Sequence, residues 1–143
     1  MSRSLASLRK AALTRQGGTC FYCRLPIWEN DPEPFRHRFG LSERQLWPLR
    51  ATAEHLIARQ DGGRDTPANI VAACIHCNRT RHRCKRPASP QELRERVQRR
   101  MASGGWHPAC SFEAFPVLAG IAKASLRNPG RRGKRANATA ARP

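Results

Sequence analysis

Two cysteine pairs, Cys20-Phe21-Tyr22-Cys23 and Cys74-Ile75-His76-Cys77, carry the clearest chemical signal in this chain. Four thiolates complete the tetrahedral shell of a zinc ion and leave no open position, so such a centre shapes a chain without acting on a substrate. A second set of polar residues is available for reactions: Glu54 and His55 lie between the pairs, as does Asn69, and Asn78 directly follows the second pair. Carboxylate and amide oxygens suit a hard cation such as magnesium, and an imidazole exchanges protons near neutral pH. His76 sits inside the second pair, and Cys84 and Cys110 lie outside both. We read these three as structural residues or free thiols in preference to a second metal centre.

The framework around these residues follows from periodicity and punctuation. Leu5, Leu8 and Leu13 recur at helical spacing through Gln16, and Gly17-Gly18 stops that helix just before Cys20. Residues 25–50 carry Pro26, Pro32, Pro34 and Pro48, with a short helix expected around Ser42 to Leu46. Trp28, Phe35, Phe39 and Trp47 in this stretch are expected to fill gaps against a small core more than to stack on bases. From Ala51 to Ile57 the pattern is that of a strand, Gln60 to Pro67 is dense in turn formers, and Ile70 to Ala73 makes a second strand. A helix is expected from Cys77 or Asn78, ending before Pro87. Ser89-Pro90-Gln91-Glu92 reads as a capped start for another, with Leu93, Val97 and Met101 on one face and Gly104-Gly105 at its end. Phe115 to Leu126 is a weaker apolar segment, and beyond Asn128 the composition predicts disorder. The expected organisation is a leading helix over residues 1–16, a core over 17–86, a helical extension over 87–126 and a basic tail over 127–143.

Composition narrows the partners. The chain of 143 residues has 27 Lys and Arg against 10 Asp and Glu, a formal net charge of +17. That excess is drawn to polyanions, predicting salt-sensitive binding to a phosphate backbone; the competing explanation is a basic solubility surface or tail. A disulfide scaffold fits six cysteines less well than metal does, because two pairs have the CxxC spacing and no secretory apolar region precedes them. A reducing, cytoplasmic compartment is therefore expected. The acid-free start, rich in Ser, Arg, Ala and Leu, also describes an organellar transit peptide, although its direct run into Cys20 favours a plain amphipathic helix. No apolar stretch approaches the ~18 residues of a membrane span. With 39% hydrophobic residues the core is modest, and zinc bound only by the folded state would add on the order of 10 kcal/mol to its stability.

Glu54-His55-Leu56-Ile57, Gly62-Gly63, Asn69-Ile70-Val71, Cys74 to Cys77 and Asn78-Arg79-Thr80-Arg81 together resemble the HNH endonucleases, in the branch stapled by zinc through two CxxC pairs. The resemblance covers about residues 7 to 83. It implies an α+β fold, the ββα-metal finger, with a four-cysteine zinc site and flanking helices. It also implies that His55 resembles the general base, that Glu54 and Asn78 resemble the pair holding a catalytic magnesium or similar ion, and that Asn69 braces the loop orienting the base. The family usually has Asp where this chain has Glu54. Some members carry a second metal-binding His where His82 stands, and Arg79 and Arg81 are expected beside the nucleic-acid backbone. Gly62-Gly63 is expected to supply positive φ for the loop.

The reading that follows is a metal-dependent endonuclease hydrolysing phosphodiester bonds in nucleic acid, DNA first, with His55, Asn69 and Asn78 in catalysis and Cys20, Cys23, Cys74 and Cys77 on structural zinc. The alternative from another class is a zinc-stabilised nucleic-acid-binding module without chemistry, and a weaker third is a protein-interaction zinc finger. Joint presence of Glu54, His55 and Asn78 favours the enzyme, since binding alone does not need that set.

Overall fold

A computed structural model of the chain describes residues 3–107, so that Cys110, the 115–126 segment and the 127–143 tail lie outside the described residues. The order is α1 (Leu5–Arg15), α2 (Pro32–Phe39), α3 (Glu43–Leu46), β1 (Ala51–His55), β2 (Ile70–Cys74), α4 (Ile75–Arg81) and α5 (Pro90–Ala102). Short 3-10 turns occupy Trp47–Leu49 and Arg59–Asp61. This is a small α+β fold around one antiparallel strand pair.

Local sequence explains each start and stop. Ser4 caps α1 by accepting from the Ser7 amide, and Gly17 and Gly18, at φ 66° and 78°, turn the chain out of it. The proline-rich stretch forms α2, an element the sequence did not predict. Asp31 caps it and both prolines fall in the first turn, where a missing N–H costs nothing. Helix α3 falls where expected, with the Ser42 amide donating to Gln45 Oε1. Ser89 and Glu92 close a capping box at α5, which ends at Gly104, φ 76°. Helix α4 begins at Ile75, two residues before the expected start, because Cys74 serves as its cap with Sγ accepting from the Cys77 amide.

Strands β1 and β2 pair from Ala51↔Cys74 to His55↔Ile70, which sets Glu54 opposite Val71. A two-stranded ribbon is marginal alone and leaves both outer edges unpaired. Here the outer edge of β2 is covered by the chain leading to the first cysteine pair. The Gln16 side chain accepts from the Ala72 amide at 2.8 Å and donates to its carbonyl at 2.8 Å, and the Phe21 amide reaches the same carbonyl. The outer edge of β1 is met by the Trp28 carbonyl, which accepts from Ala51.

One core joins these parts. Tyr22, Leu25, Trp28, Leu49 and Ala73 pack in a single cluster with the four cysteines, and Leu93, Val97, Met101 and Trp106 of the α5 region belong to it as well. Cys20, Cys23, Cys74 and Cys77 are at most 1% exposed. Four thiols so placed are joined only by weak S–H contacts unless an ion cross-links them, and a small core gains much from that cross-link. Titrating a zinc-selective chelator should therefore abolish the folded state. The readout is loss of tryptophan near-ultraviolet circular dichroism, restored by added zinc; a signal indifferent to the chelator would show that the thiols support the fold without metal.

Candidate functional site

The four cysteine Sγ atoms lie within 4.8 Å of one another and are free thiols. They can hold a metal ion, and an all-sulfur donor set suits zinc. Burial opposes charge on Cys20, Cys23 and Cys77. Hydrogen bonds from Cys23, Cys74 and Cys77 outweigh that penalty at Cys20 and lower its pKa well below the usual range, whereas Cys23 and Cys77 are pushed well above it.

Groups beyond the four ligands complete this centre, and no sequence pattern pointed to two of them. Trp106 donates from Nε1 to Cys77 Sγ at 3.2 Å, and His107 Nε2 stands 4.0 Å from Cys74 Sγ. Burial lowers the pKa of His107 to about 4, so its imidazole is neutral. The backbone amides of Cys74 and Cys77 also point at sulfur, at 3.3 and 3.4 Å. Donors of this kind disperse thiolate charge and hold ligand orientation.

The second constellation forms where β1 meets α4. Glu54 is 1% exposed, and its carboxylate is surrounded by three donors. Arg81 and the Tyr22 hydroxyl bond to Oε1, the latter at 3.0 Å, while His82 Nε2 stands 3.1 Å from Oε2. Burial, followed by the Glu54 charge, pushes the Tyr22 hydroxyl pKa far up, so it remains a donor. The identity of Arg81's partner revises the expectation for that residue. Arg81 is 7% exposed and gives three further N–H groups to the carbonyls of His55, Leu56 and Ala88. It is an internal counter-ion, with four of its five N–H groups engaged among the described residues. Arg79, two residues earlier, is exposed as expected.

His55 ends β1 on the opposite side from Glu54, as strand alternation requires, and it bonds to neither Glu54 nor Asn78. Its Nε2 lies 2.8 Å from Asp65 Oδ1, and Arg59 approaches both, at 3.3 Å from Nε2 and 2.9 Å from Asp65 Oδ2. A carboxylate at the shorter distance requires a proton on Nε2, so Arg59 pairs with Asp65 and not with the ring. The hydrogen bond from His55 lowers the Asp65 pKa, with Arg59 adding to it against a smaller desolvation effect. Among the described residues no group bonds to His55 Nδ1, which is left as the acceptor. Asp65 was invisible in the sequence because it lies among turn formers.

Asn69 is 9% exposed and spans the loop. Oδ1 accepts from the Ile57 amide at 2.8 Å, and Nδ2 donates to the Ile57 and Arg64 carbonyls at 3.0 Å each. Gly62 takes φ 87°, as expected of the loop, but Gly63 is needed for a different reason: a Cβ there would lie 1.8 Å from the Ile57 carbonyl oxygen.

Asn78 lies in α4 and donates from Nδ2 to Thr52 Oγ1 at 3.0 Å, which fixes the amide against β1. Its Oδ1 accepts no hydrogen bond among the described residues. Glu54 Oε2 and Asn78 Oδ1 are oxygen donors of the type a hard divalent cation takes, and His82 Nε2, one helical turn beyond Asn78 and exposed, is a nitrogen donor that suits borderline transition ions better. The fit is qualified by Arg81, whose charge already neutralises Glu54 and so weakens any cation held there.

Residues 41–84 match the family model of the HNH endonucleases, a span containing Glu54, His55, Asn69, Asn78 and the second cysteine pair. No curated protein and no solved structure matches the chain significantly. The first cysteine pair and the Trp106–His107 segment lie outside the matched span.

Two substitutions test this geometry. Arg81→Ala strands the Glu54 carboxylate in the core and should cost ~3–5 kcal/mol, whereas Arg79→Ala should be near neutral in the same urea titration; equal and small effects would mean that Arg81 is not an internal partner. Trp106→Phe removes one N–H···S bond and should weaken zinc roughly tenfold in a chelator competition, an unchanged affinity counting against that bond.

Proposed function

We propose that this protein is a metal-dependent endonuclease that hydrolyses phosphodiester bonds in nucleic acid, DNA first, with His55 as general base. The observation that carries the reading is the His55–Asp65 contact. A carboxylate on one ring nitrogen fixes the tautomer and leaves the other nitrogen able to take a proton from water.

In the proposed reaction a water donates its proton to His55 Nδ1 as its oxygen attacks phosphorus, and the bond from phosphorus to the departing sugar oxygen breaks. Asp65 stabilises the imidazolium that results, and Asn69 keeps the 57–64 loop braced under it. Glu54, Asn78 and His82 would hold magnesium or a similar cation, which supplies charge stabilisation at the phosphate and the departing oxygen. Zinc on the four cysteines is structural in this scheme, and Arg79 contributes positive charge beside the strand.

The ion pair between Arg81 and Glu54 favours a second reading, a zinc-stabilised module that binds nucleic acid without cutting it, because a carboxylate already neutralised is a poor cation ligand. Plasmid nicking separates the two. Zinc-loaded protein with magnesium or manganese should convert supercoiled plasmid to the open circle, and His55→Ala should slow this at least ~100-fold without loss of plasmid binding. Asp65→Asn should lower the rate by a smaller factor. If wild type and His55→Ala bind plasmid alike and neither cuts DNA or RNA, the binding module is the better description.

A further inference from the structure

The chain has three tryptophans, and the fold treats them differently. Trp28 and Trp106 are buried, whereas Trp47 is 54% exposed and so departs from the core role expected of it. Its position is built and not incidental. Trp28 is anchored by a 2.9 Å bond from its Nε1 to the Leu46 carbonyl, and Trp47 rests edge-on against that ring with centroids 5.7 Å apart. The buried indole thereby supports the exposed one and leaves a face of it open.

Around this ring lies a groove of about 530 Å³ whose walls include Arg44, Arg50, Arg79 and Arg83, with His76 alongside. Among the described residues no carboxylate lines it. None of these four arginines forms a salt bridge among the described residues, although Arg9, Arg36, Arg59 and Arg81 all do. The Arg50 guanidinium sits 5.9 Å from the centroids of both Trp28 and Trp47. Four unpaired like charges gathered in one groove repel one another until an anion enters, and a bare indole face in water gains by covering. One ligand satisfies both demands. Successive phosphates neutralise the arginines while an unpaired base stacks on Trp47; a duplex offers the phosphates but keeps its base faces covered.

We infer that this groove binds an unpaired stretch of nucleic acid, with a base on Trp47 and phosphates on Arg44, Arg50, Arg79 and Arg83. The inference deepens the proposed function and rests on it for the nature of the substrate. Arg79 directly follows Asn78 on α4, and Arg83 lies four residues further on, so a strand held here runs along the helix that carries Asn78 and leads to His82. The groove would select substrates with a single-stranded segment beside the scissile bond.

Binding without cleavage tests this. Full-length zinc-loaded protein, with no magnesium or manganese added, is titrated into fluorescein-labelled oligothymidylate, oligouridylate and a hairpin duplex, and anisotropy is recorded at several salt concentrations. Trp47→Ala should weaken single-strand binding about tenfold, near the lower end for loss of one base stack, and duplex binding less than about twofold, while Trp47→Phe retains most of the affinity. Arg83→Ala should reduce the single-strand salt slope by ~0.7. DNA and RNA arms that respond alike mean that base and phosphate are read without the sugar. Equal losses on single strand and duplex, or no loss at all, would overturn the groove assignment. A protein that nicks plasmid yet ignores Trp47→Ala refutes only this inference; one that never cuts but loses single-strand binding refutes only the nuclease.

Discussion

Four sulfur atoms from separate segments meet at the centre of this fold: Cys20 and Cys23 come from the chain after α1, Cys74 from the end of β2 and Cys77 from α4. Bringing them within 4.8 Å closes a loop of more than fifty residues. Closing so long a loop is entropically costly, and the core available to offset that cost is small. An ion on the thiolates would supply the missing stabilisation, and the N–H groups of Trp106 and of the Cys74 and Cys77 backbone are already aimed at sulfur to receive it. The cluster also fixes the start of α4, since Cys74 is at once a thiol of the centre and the cap of that helix. The orientation of Asn78 and His82 is in this sense a consequence of the cysteine cluster.

A second buried polar system stands beside the first. Glu54, Tyr22, Arg81 and His82 form a network in which one carboxylate receives a side chain from the first cysteine knuckle and two from the end of α4. Inside a protein an uncompensated carboxylate is too costly to keep, so Arg81 is held to Glu54 by electrostatics and covered by the carbonyls around it. His82 is the exposed end of the network, with 39% of its side chain open. His55, across the strand, faces Asp65 in a separate arrangement. The His55–Asp65 pair and the Glu54 network are thus divided between the two faces of β1.

Much of this was readable in residues. The α5 cap at Ser89, the glycine stop after α1, the strand pairing and the metal-type cysteine spacing all arise from local rules acting over a few positions, and the structure follows them. Asn69 bridging the loop was also anticipated, through the likeness of its surroundings to the HNH motif. Where expectation and structure part, the reason is long-range. Helix α2 was missed because a proline-rich stretch reads as loop unless both prolines fall in the first turn. Arg79 and Arg81 were both expected beside the nucleic-acid backbone from their place on the helix after Asn78, and only the depth of Glu54 shows that Arg81 turns inward.

Residue types and their separations along the chain were enough to define the chemical inventory: four paired thiols, an imidazole, a carboxylate, two amides and a large excess of positive charge. The partnerships came from packing. Asp65 found His55, Arg81 found Glu54, Trp106 and His107 found the cysteines, and Trp47 was left in the open between arginines, since each of these depends on how distant segments meet and not on any short-range pattern.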